Sequence, residues 1–160
     1  FINMADEQKT TVGGTKKSKD FISAVGRRRA AIARVRIYSK VSDNLKFGEY
    51  LVKKGDIVVN GRNISEYFGG DVAKAIYEQP LKIVKDTGKY AITIRAQGGG
   101  LQAQLDASVL GISRALVAMD EANKPLLRKK GLLTRDPRVR ERRKVGMGGK
   151  ARRRKQSPKR

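Results

Sequence analysis

A two-layer α/β domain of about 105 residues, extended at both ends, is predicted by three features of the chain. Two stretches alternate apolar and polar residues, and a third repeats its apolar residues at helical spacing. Turn and breaker residues separate the segments in the order strand, strand, helix, strand, helix.

The first element lies in "RRRAAIARVRIYS". Ala31, Ala33, Val35 and Ile37 fall on one face, with Ile32, Arg34, Arg36 and Tyr38 on the other, which is the pattern of a strand with one buried face. "DIVVNGR" predicts a second strand over Ile57 to Asn60, stopped by the turn signal Asn60-Gly61. "NISEYFGGDVAKAIYEQP" then predicts two short helices. One spans Ser65 to Phe68, and the other starts after an Asp71 N-cap and stops at Pro80.

"LKIV" reads as a short strand, and "KYAITIRAQ" as a longer one that sets Tyr90, Ile92, Ile94 and Ala96 against Ala91, Thr93, Arg95 and Gln97. After Gly98, Gly99 and Gly100 comes the strongest helix. Leu101, Leu105, Val109, Ile112, Leu116 and Met119 form a single stripe that is expected to cover the sheet. Asn123 and Pro125 end this pattern, and "PLLRKK" reads as a basic turn closed by Gly131. The domain is thus expected over residues 25–130, between a polar, disordered leader at 1–24 and a basic extended tail at 131–160.

Charge separates these parts. The chain has 37 Lys and Arg against 15 Asp and Glu, a net +22. From Arg128 to Arg160 there are 16 cations against only Asp136 and Glu141, so the last 33 residues hold +14. Charge of this size repels itself unless a polyanion neutralises it, and nucleic acid is the fitting partner. A membrane is not, because no long apolar run or basic amphipathic helix with bulky aromatics is present.

Catalysis has little to work with. The chain lacks Cys and His, which removes thiol nucleophiles, imidazole acid–base chemistry and zinc sites built from those residues. Asp56, Asp71, Asp106 and Asp120 occupy turn or helix positions and form no paired constellation. The reading is therefore of a protein that is not an enzyme and needs no metal or cofactor. The triple glycine lacks the spacing of either nucleotide-binding fingerprint. It reads either as a strand-to-helix joint or as a phosphate contact, which makes Gly98, Gly99 and Gly100 candidate binding residues.

Two basic stretches are the main candidates for binding. In "GRRRAAIARVR", Arg27, Arg28 and Arg29 are adjacent like charges that phosphate contact would offset, while Arg34 and Arg36 share an exposed strand face. In the tail, Arg135, Arg138, Arg142, Arg143, Lys144, Lys150, Arg152, Arg153, Arg154 and Lys155 lie among too few apolar residues to offset ordering entropy. Arginine outnumbers lysine there, which suits bidentate phosphate contact and stacking on unpaired RNA bases.

The blocks "GRRRAAIARVRIY", "DIVVNGRNISEYF", "QPLKIV", "YAITIRAQGGGLQAQLDASVLGISRALV", "LLTRDPRVRERRKVG" and "KARRRKQSPKR" resemble, in order and spacing, the S-nine family of small-subunit ribosomal proteins. The resemblance covers about Val25 to Arg160. It implies a fold of the ribosomal-protein-S-five second-domain type and a place in the head of the small ribosomal subunit. The implied partners are the 3′ major domain of the small-subunit rRNA, neighbouring head proteins and the peptidyl-site tRNA, on a cytoplasmic or organellar ribosome.

It further implies that Lys159 and Arg160 lie at the tRNA anticodon stem-loop, with Arg152, Arg153, Arg154 and Lys155 in rRNA. The family commonly ends in Pro-Gln-(Phe or Tyr)-Ser-Lys-Arg. Here Ser157 replaces the aromatic and Pro158 follows it, so this tail leans more on charge than on stacking. The competing reading from charge alone is a free nucleic-acid-compacting or RNA-chaperone protein. A kinase of a related fold group is disfavoured by the missing phosphate loop.

Overall fold

The alternation between Ala31 and Tyr38 is realised as a strand whose small and branched side chains all point to one side. In a computed structural model, which describes residues 21–40 and 45–142, Ala31, Ala33, Val35 and Ile37 are completely buried. The elements in chain order are β1 (Ile22–Arg28), β2 (Ala31–Tyr38), β3 (Lys46–Phe47), β4 (Tyr50–Leu51), β5 (Ile57–Val59) and β6 (Arg62–Asn63). They continue with α1 (Ile64–Tyr67), α2 (Asp71–Val84), β7 (Ala91–Gln97), α3 (Leu101–Met119) and α4 (Asn123–Lys129).

The main sheet has the order β1-β2-β7-β5-β6, and only the β5–β7 pair is parallel. That pair is joined through α1 and α2, as a parallel connection requires. Asn60 and Gly61 form the two-residue loop of the β5–β6 hairpin with φ of 49° and 83°. Positive φ at both positions is what the Asn-Gly signal foretells. The strand β1 was not among the expected elements. It begins at Ile22, before the expected domain boundary, and makes the sheet's edge beside β2.

Three sequence expectations are corrected. Pro80 does not end α2, which runs through it to Val84, so "LKIV" is helix and not strand. Proline in a helix interior forfeits a hydrogen bond, but Tyr77, Pro80 and Leu81 are buried together against the core and offset that loss. The N-cap of this helix is Gly70, at φ 99°, and Asp71 is its first helical residue. The basic turn "PLLRKK" is the helix α4, with Leu127 buried. Gly131, at φ 73°, donates to Arg128 O while Leu132 donates to Leu127 O, which closes α4 in a Schellman motif.

The stripe expected on α3 is largely present, with Leu105, Val109, Ile112 and Leu116 buried, but Leu101 is 61% exposed. Ala107, Ser108, Leu110, Gly111, Ser113 and Ala115 are buried as well, because α3 lies inside the molecule rather than along its surface. Gly26 and Gly111 explain how. A Cβ on Gly26 would sit 1.8 Å from Ala107 O and 2.5 Å from Gly111 N. One on Gly111 would sit 2.6 Å from Val35 Cγ2. The backbones of β1 and α3 therefore touch.

Beyond α4 the chain turns back onto the domain, and Leu132 and Leu133 pack on the main core. Arg28 fastens the segment after them. Its side chain, only 11% exposed, donates from Nη1 to Arg138 O at 2.8 Å, and its Nη2 lies 2.8 Å from Asp136 Oδ2. Its Nε is 3.6 Å from Asp106 Oδ2 on α3. Arg138 in turn donates side-chain and backbone N–H groups to Asp136. Those bonds, with the Arg28 charge, hold the Asp136 carboxyl well below the usual carboxylate range.

Replacing Gly26 with alanine is expected to destabilise the fold by about 1–3 kcal/mol, because its Cβ must push β1 off α3. The measurement is the urea midpoint, with an unchanged slope showing that the loss is one of stability. Asp136→Asn is expected to speed tryptic cleavage at Arg138 and Arg140 severalfold while leaving cleavage within α3 unchanged. The low folded value of Asp136 makes its stabilising contribution full above the unfolded carboxylate value near about 4. It is lost only as pH falls through the depressed folded value. The Tm difference between wild type and Asp136→Asn should accordingly stay constant from neutral pH down to about 4 and shrink below it.

Candidate nucleic-acid interface

The sheet has two unlike faces. One carries the helices, and the other is partly covered by the small β3–β4 hairpin. Under that hairpin Val52, Val58 and Ala91 form a second apolar cluster with Tyr38, Leu45, Phe47 and Tyr50 packed around it. The rest of this face is basic.

Alternation along β1 and β2 sends Arg27, Arg34 and Arg36 outward, all exposed, whereas Arg28 points inward. The register places Arg34 directly opposite Arg95 of β7 and opposite Val25 of β1. Like charges facing each other across an antiparallel pair are destabilising. Among the described residues Arg27, Arg34, Arg36 and Arg95 have no carboxylate partner. Arg36 instead lies over the Phe21 ring, 4.7 Å from its centroid, a cation–π contact.

Arg29 stands in the β1–β2 turn at φ 51°, and this turn abuts the triple glycine. Gly98 and Gly99 take φ of 72° and 63°, and a Cβ on Gly98 would lie 2.5 Å from Ala30 O. Both glycines are therefore needed by the backbone itself, as a joint. Gly100, with ordinary φ and open space around it, is the α3 N-cap. The joint is held from inside by a chain of hydrogen bonds. Asn60 bonds both Ala96 N and Ala96 O, Tyr67 donates to Gln104 Oε1 at 2.7 Å, and Gln104 donates to Gly98 O.

Of the openings on the basic face, one of about 350 Å³ lies along β1 and β2 beside Phe21, Arg34 and Arg36, and two others adjoin at Arg95 and Phe47. A recess of about 90 Å³ is lined by Arg34, Arg36, Phe47, Thr93 and Arg95. A groove of about 510 Å³ is lined by Phe47, Gly48, Asn60, Gly61, Arg95, Ala96 and Gln97, and the tips of the β3–β4 and β5–β6 turns meet at its border, where a Cβ on Gly48 would lie 3.4 Å from Gly61 Cα. Arg95 and Phe47 border both, and neither was among the residues singled out from the sequence. The alternation of β7 had placed Arg95 on the outer face. Nothing in it told which strand would pair beside it.

Along the edge, Arg114 of α3 donates to Val25 O at 2.9 Å and so occupies an unpaired carbonyl of β1. Arg135 and Arg142 are exposed, and Arg138 is exposed but paired with Asp136. Arg143, Lys144, Lys150, Arg152, Arg153, Arg154, Lys155, Lys159 and Arg160 lie outside the described residues. The basic residues of the domain and those of the described tail are thus of two kinds. Arg27, Arg34, Arg36 and Arg95 of the sheet face are free for an anion, while Arg28, Arg114, Arg138, Lys82, Lys89 and Lys124 are engaged with groups of the chain itself.

Comparison with known proteins bears on which anion. The family described as "Ribosomal protein S9/S16" matches residues 26–160. The chain is 44% identical over 142 residues to the "Small ribosomal subunit protein uS9" of Porphyromonas gingivalis, covering 88% of this chain and 99% of the relative. It is 42% identical over 132 residues to the protein of that name in Maridesulfovibrio salexigens, covering 82% and 92%. Against that of Cytophaga hutchinsonii it is 42% identical over 141 residues, covering 88% and 99%. With five sixths of its length matched and the expected mixed α/β domain in place, the chain belongs to the ribosomal protein S9/S16 family, a family of structural proteins and not of enzymes.

Proposed function

We propose that this chain is a structural constituent of the small ribosomal subunit, acting on the cytoplasmic ribosome in translation. It binds small-subunit rRNA in the head, within the 3′ major domain, and neighbours other head proteins. The observation that carries the RNA-binding reading is the Arg34–Arg95 pair, two unpaired like charges held face to face by the sheet. Phosphates are the groups that relieve such a pair, and releasing their counterions supplies the driving force. Family membership supports rRNA as the source of those phosphates.

The domain contacts rRNA through Arg27, Arg29, Arg34, Arg36 and Arg95, and the tail continues the contact from Arg135 onward. Arg28 holds the tail's base instead of touching RNA. Gly98 and Gly99 serve the joint, and Gly100 leaves the α3 N-terminus open to a phosphate. The fold is of the ribosomal-protein-S-five second-domain type, a reading supported by the mixed five-stranded sheet and by the family match. Lys159 and Arg160 reach the anticodon stem-loop of peptidyl-site tRNA, with Arg152, Arg153, Arg154 and Lys155 in rRNA.

Replacing Arg34 and Arg36 with glutamine should lower the salt dependence of binding to a 3′ major domain RNA by about one phosphate contact each, read from the slope of log K against log salt. An unchanged slope removes the sheet face from the interface. Deleting Lys159 and Arg160 should leave subunit incorporation intact and weaken retention of peptidyl-site tRNA, and truncated subunits that hold the tRNA normally refute the tail's role. In a high-salt gradient the protein should sediment with the small subunit. A free compaction factor would be stripped off.

A further inference from the structure

We propose that the basic sheet face holds one unstacked RNA nucleotide, its phosphate in the Arg34–Arg36–Arg95 recess and its base in the adjoining groove against Phe47. This deepens the rRNA-binding reading and rests on it. The two openings differ in size as the two halves of a nucleotide do. The recess, at about 90 Å³, has several times the space that one water needs, enough for a single phosphate group. The groove, at about 510 Å³, lies within the range of clefts that take small ligands.

Their chemistry differs in the same sense. Three arginines border the recess, and nearly buried Thr93 forms part of its wall. The groove has the aromatic ring of Phe47, the amides of Gln97 and Asn60 and the guanidinium of Arg95. An aromatic face together with amide and guanidinium donors is the equipment by which unstacked bases are held. Phe47 and Arg95 border both openings, so a single nucleotide crossing from one to the other meets both residues throughout.

The two turns meet at the border of the groove without adding a side chain to it. Gly48 and Gly61 stand at its two turn tips with φ of 68° and 83°, and neither puts a side chain over it. Asn60, which would otherwise crowd the floor, has its amide committed to Ala96 N and Ala96 O at 3.0 and 2.9 Å. Phe47 is anchored from behind by the cluster of Val52, Val58 and Ala91, so its ring is held in place before any base arrives. A duplex can set a phosphate in the recess but cannot fill both openings, because its bases are stacked and paired within the helix.

The chain has no tryptophan, so Phe47→Trp makes a single clean fluorescent reporter at the shared wall. The full chain carrying it is titrated, at raised salt to weaken the tail's non-specific grip, with a single-stranded RNA octamer, an RNA duplex of equal length and inorganic polyphosphate. Quenching by the single strand alone is expected. Adding Arg95→Gln should weaken that quenching roughly 5- to 150-fold in RNA concentration, the range of one lost stacking-scale contact.

Equal quenching by all three polyanions, or none by the single strand while the RNA still binds by anisotropy, overturns the nucleotide site and leaves the rRNA reading standing. Failure of any RNA to bind overturns both. If Phe47→Trp does not fold, Gln97→Ala in the otherwise natural chain replaces it. A severalfold loss of single-strand affinity with duplex affinity unchanged then supports the site, and equal affinities overturn it.

Discussion

Everything in the domain depends on the contact between the backbones of β1 and α3. At Gly26 and Gly111 the strand and the helix approach so closely that neither tolerates a β-carbon. Bringing the edge strand down onto a central helix lets α3 bury residues on nearly its whole circumference, including Ser108 and Ser113, whose hydroxyls bond back to Gln104 O and Val109 O. With α3 seated there, β2 and β7 receive a common apolar floor. Arg114 is then placed to cap Val25 O at the open edge. Among the described residues Arg28 is the one charged side chain buried in this interior, so the apolar packing is assembled almost entirely from neutral groups.

The burial of Arg28 divides the arginines by task. Three arginines in a row look alike on paper, but a strand's period of two sends Arg27 out and Arg28 in, and the turn sets Arg29 apart. Once inside, Arg28 needs partners, since a buried charge without them is costly. It finds Asp136, Asp106 and the Arg138 carbonyl. The charge that looks most like a nucleic-acid contact thereby becomes the fastening of the tail's base. The exposed arginines have the opposite arrangement, with like charges opposed across β2 and β7 and no carboxylate partner among the described residues.

Much of this was legible in the residues. The period-two runs in β2 and β7, the Asn60-Gly61 turn and the α3 stripe each express a local rule, and each is present in the structure. Where local rules failed, tertiary burial had outweighed them. Pro80 remains helical because Tyr77 and Leu81 bury beside it, and "PLLRKK" is helical because Leu127 is buried and Gly131 terminates it. The short strands β3, β4 and β6 carry two residues each, too few for a period to show. β1 was missed because its inward positions, Ala24, Gly26 and Arg28, are not the apolar set that marks a buried face.

The sequence by itself determined the charge division, the absence of catalytic chemistry built on Cys or His, and the strand and helix periods, since composition and spacing need no knowledge of neighbours. It also carried the family blocks that the match over residues 26–160 bears out. Only the tertiary structure decided which arginines face each other, which one turns inward, and that Phe47 and Arg95, far apart in the chain, share a wall. Those facts depend on strand order and register, which arise from long-range packing around the Gly26–Gly111 contact. No local pattern encodes them.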